Sequence, residues 1–154
     1  MKGPPSIEEA SASLAQTFTQ SKTSKPVRSV SEDHFITVGT ETFAGTHLLL
    51  DLWGASGLRN AELIERAIRD SVEVAGANLL DIHLHRFAPS GGISGVAVLA
   101  ESHITVHTWP ERDYAAIDIF MCGDTQPELT IPVLKNAFGA NHADVSKIQR
   151  GTLS

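Results

Sequence analysis

The sequence has one cysteine, few basic residues and no long apolar run, and each shortage excludes a class of protein. The lone thiol of Cys122 cannot form an internal disulfide bond. The 12 Lys and Arg residues form no basic stripe and are outnumbered by 18 Asp and Glu, so we expect no nucleic-acid partner. No apolar run approaches the roughly 20 residues of a membrane helix, and the N-terminus lacks the apolar core of a secretion signal. The sequence therefore predicts a cytoplasmic protein that has no membrane partner.

The composition is otherwise that of one folded domain preceded by a polar extension. Hydrophobic residues make up 42% of the 154, which is enough to build a core. Residues 1–31, however, contain ten Ser or Thr and three Pro, and such a segment buries too little apolar surface to offset its ordering entropy. We therefore predict a disordered extension at residues 1–40, in which a helix at residues 7–18 would be marginal, and a folded domain at residues 41–154.

Two stretches of the domain have the apolar period of an amphipathic helix. The first follows Asn60, a good N-cap residue, and ends before Gly76, which suits the left-handed position after a helix. Between these two residues the apolar side chains recur every three or four positions, as expected of a helix with one buried face. The second stretch lies near residues 127–138 and is followed by Gly139. The domain is therefore expected to contain two helices.

Short apolar or alternating runs predict six strands in the same domain. They lie near residues 46–54, 78–87, 96–101, 104–108, 114–122 and 144–149. In the second run the alternation predicts Leu80, Ile82 and Leu84 on the buried face. Few helices among many strands favour an α+β fold, a two-layer sandwich in which an antiparallel sheet has helices on one face. The other face is then open, and we expect it to contribute to a homodimer.

The segment LAESHITVHTWPERDYAAIDIFMCGD, residues 99–124, carries more polar groups than strands beside a core require. His107 lies on the strand that follows Ser102, and imidazole with hydroxyl is a set suited to acid–base or nucleophilic chemistry. A metal site is a second interpretation, in which His83 and His85 share a strand face and a histidine of the later strand completes the ligands. A third interpretation is that these histidines are structural. An ordinary serine hydrolase is disfavoured, because no G-x-S-x-G turn is present.

The string SGVAVLAESHITVHTWPERDYAAIDIFMCGD closely resembles the signature region of prokaryotic S-adenosylmethionine decarboxylase proenzymes. Upstream, GTHLLLDLWG and HRFAPSGGISG resemble the first strand and the H-x-F-x-P turn of the same family. The likeness extends over about residues 45–151. It implies a pyruvoyl-dependent decarboxylase that makes its own cofactor by self-cleavage.

The resemblance implies that the chain breaks between Glu101 and Ser102. The Ser102 hydroxyl would attack the Glu101 carbonyl carbon and convert the peptide bond into an ester. Elimination of the Glu101 carboxylate would then leave dehydroalanine, which hydrolyses to a pyruvoyl group. The products would be a β chain of residues 1–101 and an α chain of residues 102–154 that begins with pyruvoyl.

Further roles follow from the same likeness, position by position. Ser94 matches a serine that stabilises the intermediate of the acyl shift, and His107 matches a histidine that removes the proton during elimination. Cys122 matches the general acid that returns a proton to the substrate carbon after CO₂ leaves. The pyruvoyl carbonyl would form a Schiff base with the substrate amine, a role that pyridoxal phosphate often fills in other enzymes. Only five lysines are present, which agrees with a cofactor other than pyridoxal phosphate.

For the substrate, the resemblance assigns Glu111 to the ribose hydroxyls and Phe87 to the adenine ring, with Trp109 as a wall of the site. A carboxylate suits paired hydroxyls because it accepts a hydrogen bond from each. The product would be the aminopropyl donor for spermidine synthesis. Family members of this size form dimers of αβ protomers with residues of both copies at each site, which agrees with an open sheet face.

The sequence also departs from the family pattern close to the expected substrate. PSGGIS has one residue more than the usual turn, and DLWGAS stands where many members have a Tyr-Gly-Cys type sequence. S-adenosylmethionine is therefore the first expectation, and decarboxylation of arginine or ornithine by the same mechanism is the alternative. A second alternative is an uncleaved, non-catalytic paralogue that acts as a regulatory partner.

Overall fold

The computed structural model describes residues 26–154, and the helix expected at residues 7–18 lies outside them. Three short strands, β1 (Arg28–Val30), β2 (Ile36–Val38) and β3 (Glu41–Phe43), come first and form a small antiparallel sheet. The remaining elements are β4 (Gly45–Trp53), α1 (Ala61–Ala75), β5 (Asn78–Arg86), β6 (Ile93–Ala100), β7 (Ser102–Trp109), β8 (Tyr114–Met121), α2 (Thr130–Ala137) and β9 (His142–Arg150). Single 3-10 turns at Pro110–Arg112 and Pro127–Leu129 precede β8 and α2.

The main sheet has six antiparallel strands in the order β5-β6-β7-β8-β4-β9, and both helices pack on one of its faces. The core between the layers is aliphatic, with Leu50 and Ile117 from the sheet and Ile64 and Leu134 from the helices almost fully buried. This arrangement confirms the predicted α+β sandwich. In the described part of the chain, no helix is long and apolar enough to span a bilayer.

Helix α1 begins and ends where the capping residues predict. The Asn60 side chain accepts a hydrogen bond from the Leu63 N–H at 3.1 Å, which satisfies one of the free donors of the first turn. Gly76 follows the helix with a φ of 72°, a left-handed conformation that glycine adopts without steric cost. The stripe between them, which includes Ile64, Ile68 and Val72, is buried against the sheet. Helix α1 thereby covers the sheet face away from the predicted site.

The first two strands correct the expected extent of the extension. Residues 28–40, predicted to be disordered, include β1 and β2 of the small sheet. Only two of its apolar side chains are buried, since Ile36 is 2% exposed and Phe43 is 4% exposed. Much of the remaining attachment uses backbone groups, such as the Leu153 N–H that donates to the Thr42 carbonyl. A composition count misses such a segment because it registers few apolar residues.

Strand β5 corrects the predicted placement of Leu80. The pairing of β5 with β6 shifts register between Leu79 and Asp81, which is the signature of a β-bulge. Leu79 therefore packs against the core together with Ile82, while Leu80 is 65% exposed. Strict alternation fails here because the bulge inserts one residue into the strand.

Among the described residues, no element covers the sheet face opposite the helices, as the sequence predicts. On β7 it carries His103, Thr105 and His107, which alternate with fully buried aliphatic residues. Their neighbours on β6 include Val96 and Val98, both partly exposed although they are aliphatic. The face therefore combines polar groups with apolar surface that no element within residues 26–154 covers.

Candidate active site

A strained turn separates β6 from β7 at the predicted cleavage position. The strands end and begin at Ala100 and Ser102, so Glu101 alone lies between them. Glu101 has a φ of 124°, a region that residues with a side chain rarely adopt. Such conformations store on the order of 1–3 kcal/mol and persist only where the surroundings enforce them. The Glu101–Ser102 peptide bond thus directly follows the residue with the most unusual backbone conformation in the hairpin.

Cys122 contacts both groups that would react in this turn. Its thiol donates to the Glu101 carbonyl oxygen over 3.0 Å, and its backbone N–H donates to Ser102 Oγ over 3.3 Å. The sulfur itself lies 3.8 Å from Ser102 Oγ. Cys122 directly follows β8, which pairs with β7, so the sheet register brings the two ends together. A donor on the carbonyl oxygen stabilises the negative charge that develops when a nucleophile attacks the carbonyl carbon.

The Ser102 side chain sits in a largely dry environment. The residue is 8% exposed and pairs with Leu99 across the hairpin. Burial of Ser102 limits the access of water to its hydroxyl and strengthens the hydrogen bond that it accepts from the Cys122 N–H. The turn therefore has a shielded nucleophile, a strained carbonyl and a donor on the carbonyl oxygen.

A second group of predicted residues lies at the other end of β7. Ser94 and His107 are cross-strand partners, and Ser94 Oγ is 2.7 Å from His107 Nδ1. Together with Phe87, Trp109 and Glu111 they line a pocket of about 230 Å³. The structure thus assembles five of the predicted site residues around one concave surface. A larger hollow of about 370 Å³ lies beside α1 and contains none of them.

The two groups are far apart within one protomer. Ser102 and His107 are five residues apart on β7, and a strand rises about 3.3 Å per residue, which separates them by about 16 Å. His107 therefore cannot reach the Ser102 α-proton of its own chain. The structure brings the predicted residues together in two halves rather than in one site.

Trp109 and Tyr114 form a rigid wall beside the pocket. The Tyr114 ring lies between the rings of Trp53 and Trp109, with centroids 4.3 and 5.2 Å away. Its hydroxyl donates to Asp51 Oδ1. Burial and the adjacent Asp51 carboxylate raise the pKa of Tyr114 to about 12. Asp51, which the sequence alone gives no special role, thus holds the ring that supports Trp109.

The metal interpretation gains no support from the geometry. Within residues 26–154, no three His, Cys, Asp or Glu side chains cluster closely enough to hold an ion. His103 instead packs against His47 and Phe120 on the open face. Burial, assisted by the nearby His47, lowers the pKa of His103 below its ordinary value. A neutral imidazole is easier to bury than a cation, so this residue suits a packed surface.

Sequence reasoning missed two residues of the small sheet. Arg28 Nη2 donates to the Gly123 carbonyl at 2.7 Å, and His34 Nε2 lies 3.0 Å from Glu101 Oε2. Both belong to the segment assigned to the extension, where no motif marks them. Their positions depend on the fold of the small sheet, which local sequence pattern did not indicate.

Comparison with known proteins gives one consistent family. A model described as S-adenosylmethionine decarboxylase matches residues 46–151. The S-adenosylmethionine decarboxylase proenzyme of Thermomicrobium roseum is 42% identical over 110 residues, which cover 71% of this chain and 95% of the relative. The proenzyme of the same description from Methanococcus vannielii is 44% identical over 110 residues, covering 70% and 89%.

A solved structure shows the same fold. The adenosylmethionine decarboxylase of Aquifex aeolicus superposes with a TM-score of 0.64 and 28% sequence identity, covering 73% of this chain and 94% of that one. Strands β1 to β3 precede the residues that the family model matches. The small sheet is therefore an addition to the part of the fold that the family model describes.

Proposed function

The chain belongs to the S-adenosylmethionine decarboxylase family, and from this premise we propose that it cleaves itself and decarboxylates S-adenosylmethionine through a pyruvoyl group derived from Ser102. The observation that carries the proposal is the contact of the Cys122 thiol with the Glu101 carbonyl oxygen in a strained turn. The pyruvoyl carbonyl supplies the electron sink that decarboxylation requires.

Self-cleavage begins with an acyl shift at Ser102. Its Oγ attacks the Glu101 carbonyl carbon, and the negative charge that forms on the carbonyl oxygen is stabilised by the Cys122 thiol. The C–N bond then breaks, the nitrogen takes up the proton released by the hydroxyl, and an ester links the two residues. Strain at Glu101 lowers the barrier because part of the distortion is already present in the ground state.

The second step removes the α-proton of residue 102. The Cβ–O bond breaks, the Glu101 carboxylate leaves, and the resulting dehydroalanine reacts with water to release ammonia and leave the ketone. His107 is the proposed base, in the tautomer whose Nδ1–H donates to the hydroxyl oxygen of Ser94 2.7 Å away. This leaves Nε2 free to accept a proton.

A homodimer resolves the separation between Ser102 and His107. If two copies associate about a twofold axis with their β7 strands antiparallel, the Ser102 end of one copy meets His107 of the partner subunit. The uncovered sheet face with Val96 and Val98 supplies apolar surface for such an interface. Each dimer then contains two sites, and each site takes residues from both copies.

The pocket volume supports the same arrangement. About 230 Å³ lies below the roughly 300–1,000 Å³ of most small-molecule sites, as expected if the pocket is one half of the site. We assign Phe87 to stacking on adenine and Glu111 to the ribose hydroxyls, with Trp109 as the wall. Cys122, on the other half, holds the proton that the substrate carbon receives after CO₂ leaves.

Intact-mass analysis and CO₂ release test the proposed function. We expect the chain to be cleaved between Glu101 and Ser102 into two chains. The second should have a blocked N-terminus, whose ketone borohydride reduces. Parallel assays with S-adenosylmethionine, arginine and ornithine should release CO₂ from S-adenosylmethionine alone. An unbroken 16.5 kDa chain overturns self-cleavage. Release of CO₂ from arginine or ornithine instead contradicts the proposed substrate but not the proposed self-cleavage.

A further inference from the structure

The small sheet of β1 to β3 contacts the cleavage turn directly. His34, in the turn between β1 and β2, places Nε2 3.0 Å from the Glu101 carboxylate. Its carbonyl oxygen accepts from the Gly123 N–H at 3.1 Å. Arg28 donates to the carbonyls of Gly123 and Thr125 at 2.7 and 3.1 Å. The small sheet, which precedes the family-matched residues, thus binds both Glu101, whose carbonyl would react, and Gly123, the neighbour of Cys122.

The geometry of His34 is fixed by its own turn. His34 has a φ of 64°, and its N–H donates to the Ser31 carbonyl at 2.9 Å. The Asp33 carboxylate accepts from the Ser31 hydroxyl and from the Phe35 N–H. These hydrogen bonds, with that of Ser31 first, hold the pKa of Asp33 below its ordinary value. The imidazole is therefore presented to Glu101 by a preorganised loop.

We propose that His34 is a positioning residue for self-cleavage, which it promotes by holding the side chain of Glu101. The inference rests on the proposed function and adds to it a residue outside the matched part of the chain. Glu101 carries the reacting carbonyl, and Gly123 follows Cys122, whose thiol and N–H bind the carbonyl oxygen and Ser102 Oγ. Fixing Glu101 and Gly123 relative to each other keeps those donors in place.

His34→Gly removes the imidazole and leaves the loop intact. Glycine accepts a φ of 64° more readily than any other residue, and the backbone carbonyl that binds Gly123 is retained. His142→Ala is the matched control, because His142 forms a similar exposed pair with Asp144 at 2.8 Å on β9. Glu101→Ala and the double variant complete a mutant cycle that isolates the coupling.

The test follows the cleaved fraction of full-length chain over time after cell-free synthesis. We expect His34→Gly to slow cleavage about two- to fivefold, the range of exposed ion pairs, and His142→Ala to leave the rate unchanged. In the Glu101→Ala background, removal of His34 should have no further effect. Rescue of the rate by His34→Gln, whose amide also donates to a carboxylate, would support a hydrogen-bonding role.

Equal rates for wild type and His34→Gly overturn the inference while leaving self-cleavage standing. An equal slowing in the Glu101→Ala background also overturns it, since His34 would then act without the carboxylate. A wild-type chain that never breaks overturns the proposed function and this inference together. Thermal unfolding midpoints within a few degrees of wild type show that the variants are folded.

Discussion

The Cys122 thiol donates a hydrogen bond to the carbonyl oxygen of Glu101 over 3.0 Å, across the hairpin that joins β6 to β7. The side chain assigned by family likeness to substrate protonation therefore also contacts the carbonyl that would be attacked in the proposed self-cleavage. The two roles would follow each other in time, because the proposed cleavage converts this carbonyl into the C-terminal carboxylate of the β chain before substrate binds. One thiol can then serve first as a donor to an oxyanion and later as an acid.

Replacing Cys122 with alanine should impair both steps. Loss of a donor on the carbonyl oxygen is expected to slow self-cleavage by about tenfold or more, less than the roughly hundred- to thousandfold effect of a strong oxyanion donor because a thiol donates weakly. Turnover of whatever enzyme does mature should fall as well, because the proposed acid is missing. Cleavage is followed by intact mass and turnover by CO₂ release per cleaved chain. Cys122→Ser, which keeps a donor, should cleave faster than Cys122→Ala, and the opposite order would contradict the assignment.

Replacing Ser102 with alanine should abolish cleavage altogether. The side chain supplies the attacking oxygen and the Cβ carbon that becomes the methyl group of the proposed pyruvoyl, so no other hydroxyl substitutes for it. The purified variant should remain a single 16.5 kDa chain and release no CO₂. Ser146→Ala on β9 is the control, since this exposed serine lies on the edge strand of the sheet. A Ser102→Ala chain that still yields two fragments would place the break elsewhere.

Some features of this molecule follow from local sequence and others do not. Helix α1 was predictable because Asn60 and Gly76 satisfy its ends by short-range hydrogen bonds. Strict alternation misplaced Leu80, since a bulge depends on the pairing strand as well as on the strand itself.

The residues of the candidate site also include some that the sequence indicates and some that it does not. Family likeness assigned roles to Ser102, Cys122 and His107, and the structure adds that Ser102 and His107 lie about 16 Å apart along β7. The contact of His34 with Glu101 joins residues 67 positions apart through the small sheet, and no periodic pattern encodes it.

Mixing two inactive variants tests the composite site. Ser102→Ala lacks the cofactor precursor and His107→Ala lacks the proposed base, so each homodimer should be inactive. In a mixed dimer, one site receives Ser102 from one copy and His107 from the other, and both are intact there. Co-expression should therefore restore cleavage of the His107→Ala chain and CO₂ release.

Half of the sites in a mixed dimer carry both substitutions and stay inactive. Random assortment makes half of all dimers mixed, so activity should reach about a quarter of the wild-type value per site. Maturation of the His107→Ala variant expressed alone would contradict the role of His107 as the base. Failure of the two variants to complement would contradict the shared site, provided that purification through a different affinity tag on each variant shows mixed dimers.

Glu111 should affect substrate binding more than self-cleavage. Glu111→Gln keeps the shape of the side chain but replaces a charged acceptor of two hydrogen bonds by a neutral amide. We expect normal maturation and a KM for S-adenosylmethionine raised about tenfold, from the loss of about 1.5 kcal/mol of charge-assisted hydrogen bonding. Glu62→Gln, on the first turn of α1, is the control. An unchanged KM would show that Glu111 does not bind the ribose hydroxyls.

The hydrogen bond between Tyr114 and Asp51 makes a pH-dependent prediction. Tyr114 is the only tyrosine of the chain, so the ultraviolet absorbance of tyrosinate reports this one group. Burial, the hydrogen bond to Asp51 and the charge of that carboxylate raise its pKa to about 12, whereas an unfolded tyrosine titrates near about 10. The folded state thus retains the phenolic proton between these values. The protonated phenol therefore contributes its full stabilisation of the folded state below a pH of about 10, and this contribution is lost as the pH rises through about 12.

Asp51→Asn should lower the midpoint of this titration while leaving it above that of an unfolded tyrosine. The charge of residue 51 disappears, but burial, which is the largest cause of the raised pKa, persists. Asp144→Asn is the matched control, because Asp144 faces Asp51 across β4 and β9 and does not contact the phenol. A wild-type midpoint near 10, or equal midpoints for both variants, would show that Asp51 does not hold the hydroxyl. Trp109 would then lose the fixed ring on which it stacks, and the wall of the proposed substrate pocket would need another support.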